Sequence, residues 1–266
     1  MKIKPIKTII KGFCIGATML VPGVSGGSMA MILGIYQDLI AAVSSFFKKK
    51  NLLFLLLFLL GSLSGMVLCA KPLLALIDMF EKPVMYFFMG AVAGSIPMIY
   101  RKAQVRRPTA GTFVYLILGI VLVLSFAFMP STLFSAPPEG IWGYVIQIIG
   151  GVIVSIALVL PGISVSYMLL LMGLYETVMA ALGSLQFVSL IPLGIGLVGG
   201  ILLTTRLLEA AMVRYPKPTY LIILGFVLGS VIQVFPGVPY GWDILWCILT
   251  AAAGFAAIYF LSKNEA

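Results

Sequence analysis

Two short motifs place hydroxyls, glycines and a proline where a buried anion can be held, PGVSGGS at residues 22–28 and PGISVSY at 161–167. A Pro-Gly pair interrupts a helix, and the helix that restarts beyond it presents backbone N–H groups without acceptors at its positive dipole end. Such a terminus suits a phosphate or carboxylate. In the first motif Pro22 and Gly23 make the break, Ser25 and Ser28 add hydroxyls, and Gly26 and Gly27 leave the backbone uncrowded. In the second, Pro161 and Gly162 make the break and Ser164 and Ser166 supply hydroxyls, while Val165 and Tyr167 narrow the approach. A break tolerated only for packing is the plainer reading of one such motif; its repetition at matching positions favours a site. Lys71 and Arg206 are the second set of phosphate-binding candidates. Each lies in or at the end of an apolar stretch, after a Gly-x-x-x-Gly pair, where a cation either serves function or snorkels to the interface. Glu209 is an i, i+3 partner able to neutralise Arg206. Together with Asp38 and Glu176 it is also a candidate for coupling to a proton or ion gradient, although Asp38 and Glu176 read more simply as interfacial.

The chain has no histidine, which removes imidazole as metal ligand and as general base near neutral pH. Cys14, Cys69 and Cys247 are scattered through apolar stretches without CxxC spacing. They read as small buried residues, not a disulfide or zinc framework. No metal and no cofactor is expected, and no covalent chemistry.

The elements that position these residues must lie in a bilayer. Of 266 residues, 62% are apolar and 9% charged, against about a quarter charged in soluble domains, and mean hydropathy is +1.17. The net charge of +9 therefore marks loops at a membrane face, not nucleic-acid binding. Windows at 52–70, 84–100, 111–130, 187–205, 219–236 and 242–261 are each long enough to cross about 30 Å of hydrocarbon. Two further stretches, 12–46 and 141–181, contain the Pro-Gly motifs and suit re-entrant hairpins of two short helices, because non-helical backbone at membrane depth survives only inside protein or beside a water-filled cavity. An amphipathic surface helix is the alternative for the first half of either stretch. With hairpins and a cytoplasmic N-terminus, 15 of the 17 cations fall inside and only Lys71 and Lys82 outside, as the positive-inside rule requires. The N-terminal lysines precede no A-x-A-like cleavage site, so the segment is read as retained.

The chain is also duplicated. Residues 22–42 match 161–181 at eight of 21 positions, including Pro22, Gly23, Ser25, Gly34 and Tyr36, and residues 61–99 match 196–234 at 11 of 39. Each half then holds one hairpin and three crossings. Three being odd, the second half enters from the opposite side, an inverted-topology repeat common among secondary transporters. The expected fold is an all-α polytopic membrane protein of two inverted repeats, residues 1–135 and 136–266, with both termini cytoplasmic. The Gly194-x-Gly196-x-x-Gly199 match to a dinucleotide fingerprint lacks its strand and reads as a packing face.

At PGVSGGS followed by MAMILGIYQDLI, and again at PGISVSYMLLLMGLYE, the sequence resembles the bacterial undecaprenyl phosphate translocase family, formerly a membrane family of unknown function. The resemblance covers essentially the whole chain. It implies a flippase that returns undecaprenyl phosphate from the outer to the inner leaflet of the cytoplasmic membrane, recycling the carrier for peptidoglycan and other envelope polymers. The family's first motif usually ends in Thr where this chain has Ser28, which keeps the hydroxyl, and its second more often has Gly where this chain has Val165. Membrane lipids are the only other partners expected, with a homo-oligomer left open. The rivals are a transporter of small soluble anions, which fits the same repeat, a lipid-phosphate enzyme, which the missing histidines and scarce paired acids disfavour, and a structural scaffold.

Overall fold

A computed structural model describes residues 4–19, 26–105, 107–129, 140–184 and 186–263. Helix makes up 84% of it, with no strand among the described residues. In chain order the helices are α1 (Pro5–Thr18), α2 (Gly26–Ile32), α3 (Tyr36–Ser44), α4 (Lys49–Lys102), α5 (Ala110–Ala127), α6 (Ile141–Val159), α7 (Val165–Leu171), α8 (Tyr175–Gly183), α9 (Ile191–Arg214), α10 (Pro216–Val234) and α11 (Asp243–Lys263), with a 3-10 turn before α9. By length and apolarity four helical spans among the described residues can cross a membrane, Lys49–Lys102, Ile141–Val159, Phe187–Arg214 and Asp243–Phe260, and α5 and α10 are further apolar helices. Their outward faces expose rows of Leu, Val, Ile and Phe, which suits lipid and not water.

Two of the six expected windows, 52–70 and 84–100, fall on the single 54-residue α4. It is broken at Phe80, the one residue there with non-helical backbone (φ −140°, ψ 49°). The same break separates α9 from α10 at Tyr215 (φ −131°, ψ 61°). In both places an aromatic residue is followed two and three positions later by Lys-Pro, Lys82-Pro83 and Lys217-Pro218. Proline supplies no N–H and crowds the preceding turn, so the helix restarts in a new direction.

The expectation of two helices in each Pro-Gly stretch is revised to three, because a second break lies downstream. Gly34 (φ 69°) and Gly173 (φ 65°) each end a seven-residue helix. Gly34 N–H bonds Met31 and Ile35 N–H bonds Ala30; Gly173 N–H bonds Leu170 and Leu174 N–H bonds Leu169. This is the Schellman pattern, in which a left-handed glycine caps the last carbonyls. It turns α3 by 118° from α2.

Glycine seams set the helix pairing. A Cβ on Gly12 or Gly16 of α1 would fall on the backbone of Phe58 or Ser62, and one on Gly61 or Gly65 of α4 on the backbone of Ile9 or Phe13. Gly151 of α6 and Gly196 of α9 meet in the same way. Matching residue numbers rise together along both seams, so α1 runs parallel to the first part of α4, and α6 parallel to α9. The chain between each parallel pair must therefore return to the level at which it set out. Of the dinucleotide-like glycines, Gly194 and Gly199 face open space and only Gly196 packs. Gly65→Leu would drive a side chain into backbone, so we expect loss of more than the roughly 1–3 kcal/mol of ordinary overpacking, read as a fall in Tm of the purified protein.

Of the short helices α2 is the most buried. Residues 28–32 of α2 are all buried, packed with Tyr36 and Ile40 of α3 against Leu221, Leu224 and Val227 of α10. Around α7, Met168, Leu171 and Leu174 form a second cluster with Val154 of α6 and Phe226 of α10.

Candidate functional site

Pro22, Gly23 and Ser25 lie outside the described residues, as does the side chain of Ser166. Val24 lies outside them too; Gly26-Gly27-Ser28 and the second motif can be placed, and they touch. Gly27 packs on the second break so closely that a Cβ there would stand 3.1 Å from Pro161 Cα and 3.4 Å from Leu160 C. Pro161 and Gly162 are themselves buried, and Gly162, at φ +88°, lies against the Phe226 carbonyl and Ser230 of α10. Ser164 caps α7, accepting from the Tyr167 N–H at 3.3 Å. Ser28 is buried within α2, 4% exposed.

Beside this contact runs a groove of about 270 Å³. Gly26, Gly27, Leu39, Val43, Val159 and Thr205 are among the residues that line it. Its polar groups are few, the hydroxyls of Tyr36, Ser62 and Thr205 among aliphatic neighbours. A larger groove of about 520 Å³ at the α4 break is lined by Phe80, Pro83, Phe87 and Trp246, has no charged residue in its lining and shares no residue with the first.

The helix registers locate the two cations. Carried along its seam with α4, α1 ends about level with Lys71, and carried along its seam with α9, α6 ends about level with Arg206. Both side chains are exposed and neither lines the groove, although Thr205 beside Arg206 does. Arg206 donates from Nε to the Ser44 carbonyl at 3.4 Å, and the Ser44 hydroxyl donates to the Glu209 carboxylate. Cation and acid are thus joined through the end of α3. Asp38 and Glu176 sit exposed in the first turns of α3 and α8.

Sequence reasoning did not single out three tethers of α3. The Tyr36 hydroxyl donates to the Val159 carbonyl at 2.7 Å, the Gln37 amide donates to the Tyr220 hydroxyl, and Lys102 donates to Gln37 Oε1 at 2.9 Å. The signal available was the recurrence of Gly-x-Tyr, Gly34/Tyr36 and Gly173/Tyr175, in the duplication.

Residues 15–241 match the family model described as undecaprenyl phosphate translocase-like. A polyprenyl-phosphate transporter of Staphylococcus aureus (strain NCTC 8325 / PS 47) is 32% identical over 244 residues, 87% of this chain and 86% of the relative. A polyprenyl-phosphate transporter of Vibrio cholerae serotype O1 (strain ATCC 39315 / El Tor Inaba N16961) is 29% identical over 247 residues, 87% of this chain and 78% of the relative. No solved structure matches. With a model match across most of its length and a relative above 30% identity, the chain belongs to the undecaprenyl phosphate translocase-like family.

Proposed function

We propose that this protein is a lipid-phosphate flippase that moves undecaprenyl phosphate from the outer to the inner leaflet of the bacterial cytoplasmic membrane, recycling the carrier for cell-envelope synthesis. The observation that supports it best is the meeting of the two Pro-Gly motifs, Gly27 on Pro161, at the wall of a mostly aliphatic groove. A phosphate held at the breaks has a prenyl chain attached, and that chain finds apolar lining beside it. The relatives named as polyprenyl-phosphate transporters point to the same substrate class. Aliphatic lining gives a small soluble anion nothing to bind, which favours the lipid over that rival.

Helix N-termini and the two cations stabilise the head group, and the halves rock about the contact of Gly27 with the second break. Two inverted repeats, residues 1–135 and 136–266, with both termini cytoplasmic, give that motion its symmetry. Reciprocal contacts favour the arrangement: Lys82 after the Phe80 break donates to Val238 ahead of α11 at 3.3 Å, and Lys217 after the Tyr215 break donates to Thr109 ahead of α5 at 3.4 Å. Asp38, Glu176 and Glu209 are the proposed coupling groups for a proton or ion gradient, with no cofactor and no covalent step.

The test is purified protein in liposomes with labelled undecaprenyl phosphate. Movement between leaflets is expected, without release of inorganic phosphate and without competition from equimolar small anions. Released phosphate would make the protein an enzyme, and competition by small anions would make it their transporter.

A further inference from the structure

We infer that Tyr36 is a positioning residue, pinning the second Pro-Gly break against α2 and α3 through its hydrogen bond to the Val159 carbonyl. The inference rests on the flippase reading of the site. Val159 is the last residue of α6, and beyond it Leu160 is extended (φ −77°, ψ 134°) and Pro161 has no N–H. Its carbonyl is therefore one of the orphan acceptors of a helix end, and it lies in an apolar setting without an intrahelical partner. The Tyr36 hydroxyl supplies the partner, reaching across 123 positions of sequence with both residues buried.

The geometry that delivers the hydroxyl is local to α2 and α3. Gly34 closes α2 with its Schellman turn and Tyr36 opens α3 two residues later. Gly27, earlier in the same segment, rests on Pro161. Residues 159–161 are thus gripped twice by one short stretch of chain, once by backbone contact and once by the tyrosine. Tyr36 and Val159 also both line the groove, so the bond fixes the groove wall next to the second break. Tyr175 stands where the duplication repeats Tyr36, and the residue repeating Val159 is Leu20, outside the described residues.

Tyr36→Phe removes only the hydroxyl and leaves the carbonyl unpaired, a change worth roughly tenfold in an equilibrium constant. Gln37→Ala is the companion variant, since Gln37 tethers the same turn of α3 to Tyr220 but does not touch the second break. The experiment measures farnesyl phosphate and farnesol binding to purified protein, Tm, and the distance between spin labels at Phe46 and Ile156, exposed positions after α3 and on α6, in protein whose three cysteines are replaced by alanine. We expect Tyr36→Phe to weaken farnesyl phosphate binding about tenfold and to broaden the distance distribution. Gln37→Ala should lower Tm without either effect. Equal affinity in Tyr36→Phe and the parent protein, or an equal loss in Gln37→Ala, would overturn the role given to Tyr36. A parent protein that binds farnesol as well as farnesyl phosphate would instead overturn the head-group reading on which it rests.

Discussion

Gly27→Val is expected to bring transport in liposomes down by about two orders of magnitude, the scale on which a 1 Å misplacement at a reacting site acts. At Gly27 the added Cβ would lie 3.1 Å from Pro161 Cα and 3.3 Å from Pro161 N. Those atoms are backbone of a buried break, held in turn by Phe226 and Ser230 against Gly162, so they cannot swing aside as a side-chain tip can. Alanine asks the second break to give a few tenths of an ångström, and valine adds two methyls pointing into the same space. The series should therefore be graded, alanine above valine. Gly26→Ala is the informative neighbour, because its Cβ would meet the Met19 thioether, a flexible chain able to re-pack, and its effect should be the smaller of the two alanines. Helix propensity favours both alanines by about 1 kcal/mol. A fall in transport with Tm held or raised therefore identifies the contact of Gly27 with the second break, not folding, as what was lost. Full transport by Gly27→Val at unchanged Tm would show that the two motifs need not touch.

How much of this was legible in the sequence depends on the range of the interaction. All-helical membrane character and family membership followed from apolar runs and from the two Pro-Gly-x-Ser motifs. The Gly-x-x-x-Gly pairs were readable as packing faces, and Gly61, Gly65, Gly196 and Gly200 do meet neighbouring helices closely. The breaks at Phe80 and Tyr215 were missed because two apolar windows separated by a short polar link look like two helices with a loop, when a single non-helical residue suffices. The turns at Gly34 and Gly173 were missed for a related reason: apolar residues continue across them, and hydropathy does not register a Schellman cap. Nothing in the sequence says that Gly27 meets Pro161 or that Tyr36 reaches Val159. These contacts depend on α2 and α3 being packed between α6, α9 and α10, and one sequence has no term for that packing.

The double variant Lys71→Ala, Arg206→Ala should lose transport by about a hundredfold or more, while its Tm holds or rises. A hydrogen bond to a charged group contributes about 1.5–3 kcal/mol, and about 1.4 kcal/mol is tenfold, so one phosphate contact accounts for a tenfold to hundredfold loss. Two contacts on one phosphate will not add fully. The stability side has the opposite sign, because a cation in or beside an apolar membrane stretch is costly to insert, by up to about 2.5–3.5 kcal/mol where it lies at a helix centre. Lys71 is exposed at the level where α1 ends, and Arg206, where α6 ends, reaches the Ser44 carbonyl at 3.4 Å and is joined to Glu209 through the Ser44 hydroxyl. A head group is the counter-charge that would complete both. The single variants separate the roles, since Arg206→Ala also frees Ser44, whose hydroxyl stays on Glu209, whereas Lys71→Ala tests head-group attraction alone. Arg206→Lys keeps the charge but not the planar fork, and transport between that of wild type and alanine would indicate that phosphate is met by directed hydrogen bonds as well as by charge. Wild-type transport in the double variant would mean that both cations merely snorkel and that the helix N-termini at the breaks hold the phosphate alone.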